Sequence, residues 1–220
     1  MDAIVEAAID WADENGLVSL TMRELAAKVG VKPMTLYSHI PDKATLLALM
    51  MDQAFGAFSL DLTERATWSE RLRAVIEANY NHYIRHPWLA RSHDEQPPLG
   101  PGSLAKYERE LSALQALEIS DEDTDAVLAL VLNFTRSSAL NAHTRAQSGT
   151  TNKEWWETVG PFLQQVLGED EFPLASRIGS AAGAKLMGAY NADHEYSFGT
   201  ERIVDAVAIM RRPGGTAADR

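Results

Sequence analysis

Residues 21–43 read TMRELAAKVGVKPMTLYSHIPDK, and this stretch decides the fold of the N-terminal part of the chain. Thr21 precedes Glu24 by three residues, which is the spacing of a capping box at the start of a helix. An apolar face at helical spacing follows, and Gly30 can take the positive φ that ends a helix. Pro33 fits the first turn of a second helix, where its missing N–H costs nothing. The stretch therefore predicts two short helices joined by a tight glycine turn.

The second predicted helix, about residues 33–39, exposes an unusual surface. Two turns are too few to be stable alone, so neighbouring helices must hold it through inward-facing Leu36 and Ile40. Its outward side carries small, polar and aromatic side chains, which suits a helix lying in the major groove of DNA. We expect Tyr37 and Lys43 to meet mainly the DNA backbone. The residues expected to contact DNA are Thr21, Arg23, Lys32, Pro33, Met34, Thr35, Tyr37, Ser38, His39 and Lys43.

The spacing within residues 21–43 resembles the helix-turn-helix signature of the TetR (tetracycline-repressor) family of bacterial transcription regulators. The pattern in this chain is T-x-R-x-L-A-x-x-x-G-V-x-x-x-x-L-Y-x-H-I-x-x-K. The preceding segment also fits, with an apolar helical face before Asn15 and Gly16. An ordinary helical hairpin need not satisfy so many positions together. The resemblance implies a DNA-binding domain over residues 1–58.

The charge of the chain is the property that fits DNA binding least. The formal net charge is −11, whereas DNA-binding domains are usually basic. Residues 21–43 carry a net charge of +2, because four basic side chains stand against Glu24 and Asp42. The acidic residues of the first helix can face away from the duplex. Few phosphate contacts per subunit are then available, which predicts a modest salt dependence of DNA affinity.

Composition and the absence of catalytic motifs narrow the classes of function that the chain can have. The chain has 220 residues, enough for a sizeable core, and contains no cysteine, which suits a reducing cytoplasm. No apolar run is long enough to span a bilayer, so we expect a cytoplasmic protein without a membrane partner. No nucleophile elbow, phosphate loop or zinc-protease motif is present. An enzyme is therefore not expected.

Two histidines, His82 and His86, have the i, i+4 spacing that lets two imidazoles share a metal ion. The sequence assigns no third ligand to them. Histidines near the end of a helix also interact with its last carbonyl groups. We therefore expect neither a metal site nor a cofactor.

Beyond residue 60 the pattern is helical throughout and predicts an all-α second domain over residues 59–220. Helices near 121–147 and 198–211 are apolar or small-sided on more than one face, so they are buried within the subunit or against a partner. A single two-turn recognition helix reads little sequence, which favours a twofold homodimer on a palindromic operator in double-stranded DNA. The TetR resemblance, which extends to FGTERIVDAV at 198–207, implies that these helices form the dimer interface. The expected dimer contacts are Phe198, Ile203, Val207 and Met210.

The resemblance also implies a small-molecule pocket in residues 59–220, whose occupancy changes the spacing of the two recognition helices. Candidate lining groups combine aromatic surface with a few polar groups, as ligand sites do. The region of His93 resembles the place where the tetracycline repressor carries a histidine that helps to hold its ligand. The candidates are Asn79, Tyr83, His93, Phe134, Ser137, Ser138, Asn141, Trp155 and Phe162.

Two classes of function follow from the sequence. The first is a dimeric transcription repressor that a small molecule releases from its operator, with the direction of the response implied by the resemblance alone. The second is a helical small-molecule-binding protein or enzyme whose helix-turn-helix mediates protein contacts. Removal of the basic side chains of Arg23, Lys32 and Lys43 would abolish promoter binding in the first class and leave it unaltered in the second.

Overall fold

The computed structural model describes residues 1–92, 99–147, 152–166, 172–186, 188 and 191–211. Within these ranges the chain is helical and contains no strand, which confirms the all-α prediction. Short 3-10 turns lie at Leu17–Ser19 and Gln115–Leu117. The helices are α1 (Asp2–Asn15), α2 (Met22–Lys28), α3 (Pro33–His39), α4 (Lys43–Gly56), α5 (Trp68–Arg85), α6 (Pro87–Arg91), α7 (Pro101–Leu114), α8 (Asp121–Ala146), α9 (Asn152–Val166), α10 (Pro173–Leu186) and α11 (Ala192–Met210). Among these helices, none is both long enough and apolar enough to cross a membrane.

The first four helices form an N-terminal core. Ala8 of α1, Leu25 of α2, Leu36 of α3 and Met50 of α4 are completely buried in it. Burial of apolar side chains is what holds helices as short as α2 and α3, because neither has enough turns to be stable alone. Trp88 of α6 belongs to the same apolar cluster, so this core continues into the second half of the chain.

Helices α5, α7, α8 and α11 form a second core. Its completely buried side chains include Leu72 and Ile76 of α5, Leu114 of α7 and Val131 of α8. Helix α5 packs along α8, and α11 contacts both of them. The connection between α4 and α5 separates the two groups of helices in the sequence, close to the predicted boundary at residue 58.

Helix α7 is joined at two points to the C-terminal half of α4 and the residues just after it. The Asp52 carboxylate of α4 accepts hydrogen bonds from the N–H groups of Gly102 and Ser103 at 3.2 and 2.8 Å, which satisfies unpaired donors in the first turn of α7. The Arg109 guanidinium of α7 donates to the carbonyl of Phe58, just beyond the end of α4. At the first of these contacts the backbones are so close that a Cβ at Gly102 would lie 1.9 Å from the Asp52 carbonyl oxygen. A displacement of α7 is therefore transmitted to α4.

A second link joins α1 to the segment between α5 and α6. An Asp13 carboxylate oxygen lies 2.9 Å from Nδ1 of His86 and accepts a hydrogen bond of 2.8 Å from the Trp88 indole N–H. The carboxylate thus contacts two side chains of the second half of the chain. It holds the C-terminal end of α1 against the N-terminal end of α6.

Candidate DNA-binding surface and ligand cavity

The turn between α2 and α3 has the geometry that its sequence predicts. Thr21 accepts a hydrogen bond from the N–H of Glu24 at 3.2 Å, and the Glu24 carboxylate accepts one from the N–H of Thr21 at 3.2 Å. These reciprocal bonds are the predicted capping box. Gly30 has a φ of 73°, in the left-handed region, and the next N–H, of Val31, donates to the carbonyl of Ala26 at 2.9 Å. The glycine therefore ends α2 and turns the chain into α3.

Helix α3 is attached to the protein by two side chains and exposes the rest. Leu36 and Ile40 are both 0% exposed, as predicted. Met34, by contrast, is 79% exposed and Tyr37 is 45% exposed, although both are large apolar or aromatic residues. The structure places all of the predicted DNA contacts on the surface: Thr21, Arg23, Lys32, Pro33, Met34, Thr35, Tyr37, Ser38, His39 and Lys43. Met34 and Tyr37 are three residues apart on α3, so their exposed side chains are neighbours on the helix surface.

The basic side chains of this region differ in how far the protein itself engages them. Lys43 Nζ donates to the carbonyl of Leu17 at 3.1 Å, and Lys28 Nζ lies 5.4 Å from the centre of the Trp11 ring. Within the part of the chain that the structure describes, Arg23 and Lys32 form no hydrogen bond or ion pair. Their charges are therefore fully available to an external anion.

A cavity of about 550 Å³ lies between α4, α5, α6, α7 and α8. This volume is within the range of small-molecule sites, about 300–1,000 Å³. Its apolar lining comes from Met51, Phe55, Leu89, Leu99, Leu104 and Leu132. Its polar lining includes Tyr83, Lys106, Tyr107, Glu110, Asp125 and Arg136. A mostly apolar cavity with a few convergent polar groups is the usual form of a small-molecule site.

A buried ion pair lies in the wall of this cavity. Lys106 Nζ is 2.5 Å from Oε1 of Glu110, and the two residues are 5% and 1% exposed. The fully buried Asn79 completes the group, since its amide donates to Glu110 at 2.6 Å and its carbonyl oxygen accepts from Lys106 at 2.9 Å. Burial lowers the pKa of Lys106, and the Glu110 charge opposes that shift. Each charge is tolerated in the interior because the other one compensates it.

Tyr83 is the predicted ligand contact that lines the cavity directly. Burial raises the pKa of its phenol to about 12, and the nearby Glu110 carboxylate adds to the shift. The hydroxyl therefore stays protonated at neutral pH. It can both donate and accept a hydrogen bond.

The other predicted ligand residues lie in different places. Asn79 supports the ion pair behind the wall, and Phe134 stacks on Tyr196 of α11, with ring centres 5.9 Å apart. Ser137 and Asn141 are exposed, whereas Ser138 is half-buried. On α9, Trp155 and Phe162 are 37% and 62% exposed. His93 lies outside the described residues.

Sequence reasoning missed the contributions of α4 and α7 to the cavity. Met51 and Phe55 belong to the helix that follows the recognition helix, and nothing in the sequence connects this following helix to a pocket. Lys106 and Glu110 have the i, i+4 spacing that is ordinarily an exposed ion pair. Leu104, which is exposed, lies on the same helix. An apolar residue beside this charged pair is the sequence feature that could have indicated the cavity.

The predicted dimer contacts of α11 differ in burial. Ile203 and Val207 are 7% and 1% exposed and pack in the second core of the subunit, whereas Phe198 and Met210 are 55% and 38% exposed. Side chains buried this deeply within one subunit have little surface left for a partner. The exposed pair, together with Ile209, lies where a partner could reach it.

His82 and His86 have separate structural environments. His82 is 8% exposed, its ring lies 5.5 Å from that of Phe58, and its Nε2 has no hydrogen-bond partner among the described residues. Burial lowers the pKa of His82 to about 3, so the imidazole is neutral. His86 instead pairs with Asp13. Among the described residues, no group of three or more histidines and carboxylates is placed to hold a metal ion.

Comparison with known proteins places these features in a family. A family model described as "Tetracyclin repressor-like, C-terminal domain" matches residues 61–211, and one described as "Bacterial regulatory proteins, tetR family" matches residues 4–50. HTH-type transcriptional repressor DrrR1 of Streptomyces coeruleorubidus is 30% identical over 217 residues, which are 96% of this chain and 77% of the relative. Tetracycline repressor protein class E of Escherichia coli is 24% identical over 167 residues, 75% of this chain and 78% of that repressor.

A solved structure shares the fold. The TetR family protein ActR of Streptomyces coelicolor, in complex with actinorhodin, gives a TM-score of 0.77 at 24% identity over 94% of this chain and 96% of that chain. The matched C-terminal region alone covers well over half of the sequence, and the N-terminal match covers the helix-turn-helix. The protein therefore belongs to the TetR family of bacterial transcription regulators.

Proposed function

We propose that this protein is a homodimeric repressor that leaves a palindromic operator when a small molecule fills the cavity between α4 and α8. The observation that carries the proposal is the position of α4. This helix begins at Lys43, shortly after the exposed α3, and its Met51 and Phe55 line the cavity. One rigid element thus contacts both the candidate DNA surface and the candidate ligand site.

The contacts between α4 and α7 support a mechanical connection. Asp52 accepts hydrogen bonds from the start of α7, and Arg109 donates to the end of α4, so the two helices move together. A ligand acts as an inducer only if it binds the released arrangement more tightly than the DNA-bound one. Entry of a ligand beside α7 would displace α4 and, with it, α3.

The DNA contacts are assigned by chemistry. Arg23 and Lys32 supply free positive charge for phosphates, Thr35, Ser38 and His39 supply hydrogen bonds at base edges, and Met34 supplies apolar contact. We place Pro33 at the start of the recognition helix and Thr21, Tyr37 and Lys43 at the DNA backbone. Few cations per subunit predict a shallow dependence of affinity on salt concentration.

The exposed apolar residues of α8 and α11 are the proposed dimer surface. Leu130 of α8 is 49% exposed, and Phe198, Ile209 and Met210 of α11 are 55%, 61% and 38% exposed. A twofold axis through this surface would place the recognition helices in successive major grooves, about 34–36 Å apart. Since its operator is chromosomal DNA, we place the protein in the cytoplasm.

Two properties of relatives support the direction of the response. The relative DrrR1 is named a transcriptional repressor, and ActR was crystallised in complex with actinorhodin. The cavity between α4 and α8 gives this chain a place for a small molecule. On this basis the ligand-free protein represses, and the ligand relieves repression.

A gel-shift experiment on the DNA upstream of its own gene tests the proposal. The double variant Arg23→Ala/Lys32→Ala should lose at least about tenfold in affinity, because each neutralised phosphate contributes to binding. Lys153→Ala is the matched control, since Lys153 is an exposed lysine of α9. Equal binding by the wild type and the double variant would favour the alternative, a small-molecule-binding protein whose helix-turn-helix mediates protein contacts.

A cavity-filling variant tests the ligand half of the proposal. Leu104→Trp puts a larger side chain into the cavity from a position that is 57% exposed, so the fold can accommodate it. Compounds that release wild-type protein from DNA should lose their effect on this variant. Release that is unchanged would place the effector site elsewhere in the chain.

A further inference from the structure

The DNA-binding helices are attached to the rest of the chain through α1 as well as through α4. We call residues 1–58 the head and the helices from α5 onward the body. Helices α4 and α7 form one attachment. The other joins α1 of the head to α6 of the body at Trp88, which is 2% exposed and belongs to the apolar core of the head. The position of the head therefore depends on what holds Trp88 to α1.

Asp13 of α1 is the polar partner in this second attachment. One of its carboxylate oxygens accepts a hydrogen bond of 2.8 Å from the Trp88 indole N–H, and each of the two oxygens lies 2.9 Å from Nδ1 of His86. The side chains of Asp13 and His86 are 24% and 12% exposed, so both groups are largely shielded from water. We call the contacts of Asp13, His86 and Trp88 the α1–α6 link.

The chemistry of α1 alone does not account for an aspartate at this position. Asp13 lies in the last turn of α1, where the helix dipole favours cations, and that turn contains no basic residue. The groups that stabilise the carboxylate come from the body instead. Where a side chain breaks a local rule of this kind, the compensating gain is expected elsewhere in the structure. For Asp13 that gain is the α1–α6 link.

The junction beside the link is open. A cleft of about 580 Å³ lies between head and body, lined on the head side by residues 12–18 and on the body side by residues that include Arg91, His143 and Gln147. Apolar contact at Trp88 holds the two parts together without a preferred direction, whereas a hydrogen bond requires a defined angle. Because the cleft separates the two parts on this side, the directional contacts of Asp13 determine the angle between them.

The angle of the head matters because the recognition helix α3 belongs to it. Helix α1 packs against α2 and α4 in the first core, so α3 moves together with α1. In a twofold dimer both recognition helices must reach successive major grooves at the same time. A head that is free to rotate must be ordered when DNA binds, and this ordering lowers the affinity.

We propose that Asp13 is a positioning residue for DNA binding, which holds the recognition helix at a fixed angle to the body through the α1–α6 link. It acts through His86 and Trp88 rather than through contact with DNA. This inference rests on the proposed function in one respect, that the α3 surface binds operator DNA.

Distances between spin labels measure the angle of the head without DNA. The chain contains no cysteine, so labels can be attached at Asp10→Cys in the head and Ile84→Cys in the body, both at exposed positions. An excess of unlabelled wild type leaves at most one labelled subunit in each dimer. Asp13→Ala should shift or widen the distance distribution. Glu14→Ala, which removes the neighbouring exposed carboxylate, should leave the distribution unchanged.

A gel shift on the DNA upstream of its own gene measures the consequence for function. Asp13→Ala should bind at least about fivefold more weakly than the wild type, because a freer head must be ordered on binding. Glu14→Ala is the matched control, since it removes the same charge from the next residue and should bind at least as tightly as the wild type. Asp13→Asn keeps an acceptor for the Trp88 N–H and should recover part of the affinity.

A double-variant cycle assigns the loss of affinity to the link. Trp88→Phe removes the indole N–H, so the fold-losses of Asp13→Ala and Trp88→Phe should not multiply when the two changes are combined. The losses of Asp13→Ala and Arg23→Ala should multiply, because Arg23 is a proposed DNA contact outside the link. Titration at high DNA concentration gives the active fraction of each variant, so partial unfolding is not counted as weaker binding.

Three results would overturn the inference: a distance distribution that Asp13→Ala leaves unchanged, operator binding by Asp13→Ala as tight as by Glu14→Ala, or losses from Asp13→Ala and Trp88→Phe that multiply. Failure of the proposed function gives a different pattern. In that case Arg23→Ala/Lys32→Ala binds the upstream DNA no differently from the wild type, while Asp13→Ala still changes the distance distribution. The link then holds the head as inferred, and the assignment of the α3 surface to DNA is what fails.

Discussion

The two candidate sites of this protein are built in opposite ways. The surface of α3 consists of exposed side chains on a helix that two buried residues, Leu36 and Ile40, attach to the core. The cavity instead places Lys106 and Glu110 in the interior, where each depends on the other for compensation of its charge. Substitutions on the exposed surface should therefore change DNA binding and leave stability intact. Substitutions in the cavity wall should change stability together with ligand binding.

Removal of the Glu110 carboxylate should have the largest effect on stability. Glu110→Ala leaves the Lys106 ammonium buried without its anion, and breaking a buried pair in this way costs about 3–5 kcal/mol. Urea unfolding at a fixed protein concentration measures the change, because the stability of an oligomer depends on concentration. The double variant Lys106→Met/Glu110→Leu should recover most of the loss. A double variant no more stable than Glu110→Ala would contradict a role for charge compensation.

The recognition helix offers the next comparison. Leu36→Ala should destabilise the protein by about 3 kcal/mol, since it removes a completely buried side chain and leaves a cavity. Met34→Ala, two residues away on the 79% exposed side, should stay within about 0.5 kcal/mol of the wild type. The same unfolding measurement compares both variants. DNA binding should show the opposite order. Met34→Ala should weaken operator binding although it stays folded, because it lacks a proposed base contact.

The α3 surface was predictable from sequence because its determinants are local. The capping box of Thr21 and Glu24, the stop at Gly30 and the start at Pro33 all lie within 23 consecutive residues, 21–43. Each acts on its own helix end, so spacing alone reveals it. The family matches confirm both the helix-turn-helix and the expectation of a transcription regulator rather than an enzyme.

The cavity was predictable only in part, because it depends on contacts between helices far apart in the sequence. Periodicity locates the buried face of a helix but does not say which helix it meets. Tyr83 was predicted as a ligand contact and lines the cavity, whereas Phe55 and Glu110, from helices before and after it, were not predicted. Ile203 shows the same limit, since the apolar face of α11 meets the core of its own subunit.

The buried His82 predicts a pH dependence of stability. Its pKa is lowered to about 3 in the folded protein, against 6.5 in the unfolded chain. Between these values the unfolded state binds more protons, so stability falls as the pH falls below 6.5. From pH 7 to pH 5 this histidine should account for a loss of about 2 kcal/mol.

The variant His82→Phe isolates this contribution, because it keeps an aromatic ring beside Phe55 and Phe58 and removes the titrating group. Urea unfolding at pH 7 and pH 5 should give a smaller loss for the variant than for the wild type. For each protein, the free energy of unfolding at pH 5 is subtracted from that at pH 7. An effect of the substitution on packing is the same at both pH values, so it cancels. Identical losses in the two proteins would mean that His82 is accessible to protons in the folded state.

The smallest expected loss of stability comes from removing a capping box. It separates the two regions most directly, because each region contains one. Thr21 at the start of α2 and Thr67 at the start of α5 each form a capping box, with Glu24 and Glu70 respectively. Replacement of either threonine by alanine should cost about 1 kcal/mol in urea unfolding. Thr21→Ala should also weaken operator binding in a gel shift, because the first turn of α2 positions Arg23 beside the DNA. Thr67→Ala should leave operator affinity unchanged, since Thr67 lies at the start of α5 and outside the candidate DNA-binding surface. If Thr67→Ala weakened operator binding as much as Thr21→Ala does, loss of stability alone would account for both effects, and the α2 cap would have no separate role at the DNA surface.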